Sequence, residues 1–347
     1  MPGPVTNASN EENSQDTRTT PNLNPNQRLL DNFQKSSGEA TASSLIEGIT
    51  DKDLLGTILV LAASKGYTNI VNYLINLKEI DVNYKDKQYG DTALLAAANN
   101  GRTETVNALI ELGATIITNS GGYTALSAAV ISRNIETVKA LIGKFKDMPI
   151  GIDQQNKDGD TALTLAAFIG STDIVELLLN SEATINHRNK ASKTALDLAA
   201  WAGKTDTVKL LLNKGAQISA ISKNNETALH LAAEEGHLAT VKFLLDNGAD
   251  INIKNSGKDT ALDLAKKARK ELPKTEENTS KISEMDEVIN LLIEQQKKIE
   301  RQKPKSWLRI LSGTNGNNEE RQALLSSQPG TSIYKSFTKD LNGTSKG

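Results

Sequence analysis

Between Ser44 and Gln296, apolar residues recur three and four positions apart, the spacing that gathers them on one face of a helix. Gly, Asn and Asp interrupt them at short intervals. The pattern keeps returning to the same phase. Thr161, Thr194, Thr227 and Thr260 each open a segment reading Thr-Ala-Leu-x-Leu-Ala, and they stand 33 residues apart. Thr92 opens TALLAAA, Thr124 opens TALSAAV 32 residues later, and Thr57 opens a looser TILVLAA. A fixed period in the thirties predicts stacked supersecondary units in place of one thick core.

The segment from Asn225 to Asn252 shows what one unit contains. The Thr227 hydroxyl suits a helix N-cap. Leu229, Leu231, Ala232 and Ala233 give a short helix its apolar face, and Gly236 suits the left-handed residue that ends it. Val241, Leu244 and Leu245 stripe a second helix, Gly248 closes it, and Asp250, Asn252, Asn255 and Gly257 build the loop to the next Thr. Neither helix buries its face alone, so copies must stack. Outside this region the pattern fades. Residues 1–43 are rich in Asn, Ser, Thr, Pro, Glu and Gln and read as a disordered tail. Residues 297–347 are basic, then polar, and read as a second one.

Composition agrees with thin layers. Aromatic residues make up only 4% of the chain, too few for a deep core. The formal net charge of −2 argues against nucleic-acid binding by bulk charge. There is no cysteine, which excludes disulfides, thiolate nucleophiles and cysteine zinc sites. The longest apolar run, Ile58 to Ala63, is far short of the ~20 residues that span a bilayer. No basic and apolar leader opens the chain, so the default reading is cytoplasmic. His187, His230 and His237 lack the company a zinc site needs. No phosphate loop or nucleophile elbow appears. The chain is therefore read as no enzyme, with no catalytic residue, no metal and no cofactor.

The stretches GDTALTLAAFIGSTDIVELLLN (Gly159 to Asn180) and ETALHLAAEEGHLATVKFLLDNGADIN (Glu226 to Asn252) resemble the ankyrin repeat, and the resemblance recurs about seven times over about 250 residues. It implies an all-α solenoid over residues 44–296: helix pairs, β-hairpin loops projecting at right angles, and a concave face lined by hairpins and first helices. It also implies that His230 bonds between neighbouring loops. Some features depart from the family. Ala or Ile follows each Thr where the family has Pro, and Arg133 and Glu182 stand where Gly ends the helices. About four extra residues fall near 145–151, and the last repeat carries a charged insertion near 273–284.

In the family, partners touch hairpin positions just before the Thr and the end of the first helix, seven and eight residues after it. Here that gives Tyr89, Tyr123, Ile131, Phe168, Ile169, Trp201, Glu234 and Glu235 as candidate protein-binding residues, apolar in the middle and acidic at the C-terminal end. The expectation is a monomeric scaffold or adaptor for a protein partner. Its Asn, Lys and Ile usage is similar to that of ankyrin proteins of intracellular bacteria, some of which are exported into a host cell as effectors. The alternative is a peripheral membrane or nucleic-acid binder acting through the basic segment 297–311, KKIERQKPKSWLRIL.

Overall fold

The computed structural model describes residues 25–145 and 151–302. Most of the two predicted tails, most of the extra residues near 145–151, and the basic segment from Lys303 onward lie outside the described residues.

Seven helix pairs follow one another in the order the period predicts: α3 (Lys52–Lys65) with α4 (Thr68–Asn76), α5 (Ala93–Asn99) with α6 (Thr103–Glu111), α7 (Ala125–Ile131) with α8 (Ile135–Phe145), α9 (Ala162–Ile169) with α10 (Thr172–Asn180), α11 (Ala195–Trp201) with α12 (Thr205–Asn213), α13 (Ala228–Glu234) with α14 (Leu238–Asp246), and α15 (Ala261–Glu271) with α16 (Thr279–Gln302). An earlier pair, α1 (Pro25–Lys35) and α2 (Glu39–Ser44), precedes them. First helices pack on first helices and second on second, so one apolar core runs unbroken from Phe33 to Leu292. The small Ala97, Ala129, Ala166, Ala199 and Ala232 are fully or almost fully buried between first helices and let the layers approach closely.

The Thr at each repeat start caps its helix as expected. The Thr194 hydroxyl accepts from the Asp197 amide at 3.3 Å, and from α7 to α15 the third helical residue reaches back to complete a capping box. Thr57 is the exception. α3 starts five residues before it, capped by Asp51, and Thr57 sits inside the helix with its hydroxyl donating to the Asp53 carbonyl at 3.1 Å. An aspartate upstream supplied a better acceptor for the first amides than a Thr in the middle of an apolar run.

Second helices are joined by a ladder of hydroxyl pairs, one member of each pair buried and the other half-buried. Thr68 pairs with Thr105 at 2.8 Å, Thr103 with Thr137 at 2.7 Å, Thr172 with Thr207 at 2.9 Å and Thr205 with Thr240 at 2.8 Å. Between α8 and α10 the equivalent positions are Ile135 and Ile174, and that rung is apolar.

The loops are tight turns, and among the described residues no strand forms. The predicted β-hairpins are corrected to this extent: each turn closes with a bond such as Asn189 N–H to the Lys193 carbonyl at 3.0 Å. Neighbouring turns are linked by one more, such as Lys190 N–H to the Asp158 carbonyl at 2.9 Å. So few bonds make no ladder. From Thr92 onward, the residue two before each repeat Thr has positive φ, whether it is Gly90, Gly122 and Gly159 or Ser192, Asn225 and Lys258. A Cβ at Gly159 would lie 2.8 Å from the Lys190 nitrogen, so glycine lets these two turns close up. Arg133 (φ 56) and Glu182 (φ 68) also take the left-handed turn, at a strain that glycine would avoid.

Both ends of the domain extend beyond the expected 44–296. Residues 25–43, assigned to a tail, fold. Leu29, Leu30 and Phe33 form a helical stripe, Phe33 is fully buried edge-on to Tyr67 at 6.3 Å, and Glu39 accepts from the Ile70 amide at 3.0 Å. A few well-spaced apolar residues suffice when an array end needs covering, although their tail is polar on average. At the other end, the charged stretch near 273–284 is largely structured. A 3-10 turn at Glu276–Asn278 leads into α16, whose 24 residues run past residue 296 to Gln302, so Lys297, Lys298 and Arg301 lie exposed on a helix.

Candidate binding face

The first helices and the turns make one inner face, and the repeat sets which side chains reach it. Seven residues after each Thr, the side chain leaves the end of the first helix. Those positions hold Asn99, Ile131, Phe168, Trp201, Glu234 and Lys267 in chain order. The framework is constant and the exposed residue changes from one repeat to the next.

At the centre of the row, Phe168 and Trp201 stack on each other, with centroids 5.6 Å apart and planes 28° apart. Phe168 stays 43% exposed and Trp201 39%, and Ile131, one repeat earlier, is 43% exposed. The rings therefore pack and face solvent at once. The Lys193 ammonium lies 4.9 Å from the Trp201 ring centroid, and the indole N–H donates to Glu235 Oε1 at 3.1 Å. Behind this cluster, His237 bonds the Trp201 carbonyl through Nε2 at 3.0 Å, which pins the indole's backbone.

The acidic end is joined to the aromatic centre. Glu235 contacts Trp201 directly, and Glu234 stands one residue before it. The Glu234 carboxyl is held above its ordinary value, first by burial and then by Glu226 and Glu235, with Lys193 opposing. Glu226 accepts from the Ser222 hydroxyl at 3.2 Å. Lys281 of α16 donates to the Glu235 carbonyl, so the last helix braces this end of the face.

The remaining candidates are less central. Tyr123 and Ile169 are half-buried against the core, and the Ile169 carbonyl accepts from Arg133 Nη2 at 3.3 Å. Tyr89 is exposed in the turn before α5, three repeats from Trp201, with its hydroxyl accepting from Gln88 at 2.9 Å. Nothing in the sequence pointed to Lys281, which falls in the charged stretch near 273–284 that reads as an insertion.

His230 lies where the resemblance put it. The Thr227 amide donates to its Nδ1 at 3.2 Å, so Nε2 carries the proton, and that group donates to the Asp259 carbonyl of the next turn at 3.3 Å. Burial lowers its pKa and keeps it neutral. His187 bridges likewise to the Gly159 carbonyl at 2.9 Å. Among the described residues no group of three His, Cys, Asp or Glu could hold a metal, and no helix is long and apolar enough to cross a membrane.

A stack of helix pairs with a fixed frame and a variable inner face defines a helical-repeat solenoid of the interaction-module class. A family model described as ankyrin repeats (3 copies) matches residues 59–150, 145–222, 190–255 and 219–272. The chain belongs to the ankyrin repeat family. Solved structures agree. The ankyrin repeat domain of Bcl-3, described as a unique member of the IkappaB protein family, is 28% identical with a TM-score of 0.54, over 59% of this chain and 92% of that one. The ankyrin repeat domain of human ASB11 is 25% identical with a TM-score of 0.56, over 68% and 96%. A search of curated proteins finds no match. Ankyrin repeats are generally protein–protein interaction modules, and families built from them are typically not enzymes.

Proposed function

We propose that this chain is a non-enzymatic scaffold or adaptor that holds a protein partner on its inner face, centred on Phe168 and Trp201. The observation that carries this reading is the stacked pair of large rings, each about two-fifths exposed, in a chain otherwise poor in aromatic residues. Exposed aromatic side chains fixed by their neighbours are what binding hot spots are made of, and one such residue is worth ~2 kcal/mol or more. The Lys193, Glu235 and His237 contacts hold Trp201 in place before any partner arrives, so little side-chain freedom is left to lose on binding.

The test compares the full chain with Phe168→Ala and Trp201→Ala in affinity capture, with captured proteins identified and thermal melts run alongside. The expected outcome is loss of a specific partner from both variants with melting lowered by no more than a few degrees. Unchanged capture with markedly earlier melting would make the pair a packing feature and overturn the reading.

A further inference from the structure

The inner face around the aromatic pair is more specific than a greasy platform, because carboxylates outnumber cations on its rim. Four carboxylates and one ammonium meet here: Glu226, Glu235 and Glu271 act on Glu234, and Lys193 opposes them. Among the described residues the Glu234 carboxylate accepts no hydrogen bond, and neither Glu226 nor Glu234 is in a salt bridge. Mutual repulsion of this kind disfavours the free protein and is relieved by a cation from outside. The indole beside these groups already accepts a cation, since the chain's own Lys193 lies over it.

A guanidinium suits both neighbours at once. It is flat, so it stacks on an aromatic ring, and its forked N–H groups meet a carboxylate with two parallel bonds. An ammonium is a point charge and would only duplicate Lys193. An anionic partner, whether phosphate backbone or acidic peptide, would meet Glu226, Glu234 and Glu235 first and be repelled.

We infer that the inner face between Phe168 and Glu234 docks an arginine-bearing segment of a partner protein, its guanidinium stacked on the Phe168–Trp201 pair and bonded to Glu226 and Glu234. This rests on the proposed binding role of the aromatic pair and adds the chemistry of the partner's anchor. Specificity follows from charge as well as shape: the aromatic rings supply the affinity and the unpaired carboxylates select the cation.

The test uses the full chain and three fluorescein-labelled nonapeptides that alternate glycine with arginine, lysine or glutamine, read by fluorescence anisotropy at physiological salt. The arginine peptide is expected to bind saturably and more tightly than the other two. Glu226→Gln with Glu234→Gln should weaken it at least tenfold, and Phe168→Ala likewise. Glu104→Gln with Glu111→Gln on α6, which removes the same charge elsewhere, should change it less than twofold. Equal weakening by both charge pairs, or no preference for arginine, would overturn the inference. So would tighter peptide binding after Lys303→Glu, Lys305→Glu and Arg309→Glu, since the chain's own basic segment would then be the occupant. If the aromatic variants lose the captured protein while Glu226→Gln with Glu234→Gln retains it, the binding role survives and the arginine anchor falls.

Discussion

Two repeats carry the same six residues, Thr-Ala-Leu-Asp-Leu-Ala, at Thr194 and Thr260, and their aspartates behave in opposite ways. Both close a capping box, with Asp197 Oδ2 accepting from the Thr194 amide at 2.8 Å and Asp263 Oδ2 from the Thr260 amide at 3.0 Å. Asp263 is half-buried, and those bonds hold its carboxyl below the ordinary value. Asp197 is fully buried under the next repeat. Its Oδ1 has no hydrogen-bond partner, and desolvation pushes its carboxyl up to about 6 from 3.8. A carboxyl whose folded pKa is raised stabilises the fold below its unfolded value, and that contribution is lost as pH rises through the folded one. Asn keeps the amide-to-oxygen bond without titrating. The stability of Asp197→Asn relative to the parent is therefore expected to rise between pH 4 and pH 7, by up to about 3 kcal/mol at ~1.4 kcal/mol per pKa unit. Urea melts at the two pH values check this, and an equal difference at both would rule it out. The bare Thr-x-x-Asp pattern revealed the cap, but nothing in it distinguished the two environments.

At the scale of elements, the sequence located helices wherever a Thr start and a Gly end bracketed an apolar stripe. It failed where a helix is stabilised by what it covers. α1 and α2 are short and lie in a polar context, yet Phe33 reaches the core and Glu39 satisfies an amide in the first turn of α4, that of Ile70. α16 begins in a charged stretch because only one face of it packs, through Met285, Val288 and Leu292. Phe33→Ala should remove about 3 kcal/mol from the local stability of that end. The expected readout is faster hydrogen exchange at the Ile70 amide, whose acceptor is Glu39, with α13 unchanged. Unaltered exchange at Ile70 would mean that α1 and α2 do not dock on α3 and α4 in solution.

For the whole molecule, each repeat touches only its neighbours, so stability is a sum of units and interfaces and is lowest at the ends. The interior interfaces are reinforced by part-buried hydroxyl pairs, by turn-to-turn backbone bonds and by the histidine bridges. Native-state exchange is expected to be slowest in α9, α11 and α13 and to quicken toward α1 and the end of α16. A single exchange free energy shared by all helices would contradict this picture. The same one-dimensional build explains the binding face: because every repeat adds one side chain to the same row, a partner reads Ile131, Phe168, Trp201 and Glu234 as a linear series.

The sequence by itself determined the period, the caps, the solenoid class and the row of inner-face positions, because those follow from residues close together along the chain and from a phase that repeats. The family's resemblance supplied the choice of that row as the binding side. Only the tertiary structure decided that Phe168 and Trp201 stack while remaining exposed, that Glu235 bonds the indole of the preceding repeat, that Lys281 braces it from the last helix, and that Asp197 loses its water while Asp263 keeps it. Each of these depends on what the neighbouring layer covers, and burial by a residue 30 or more positions away leaves no mark on the local pattern of apolar and polar residues.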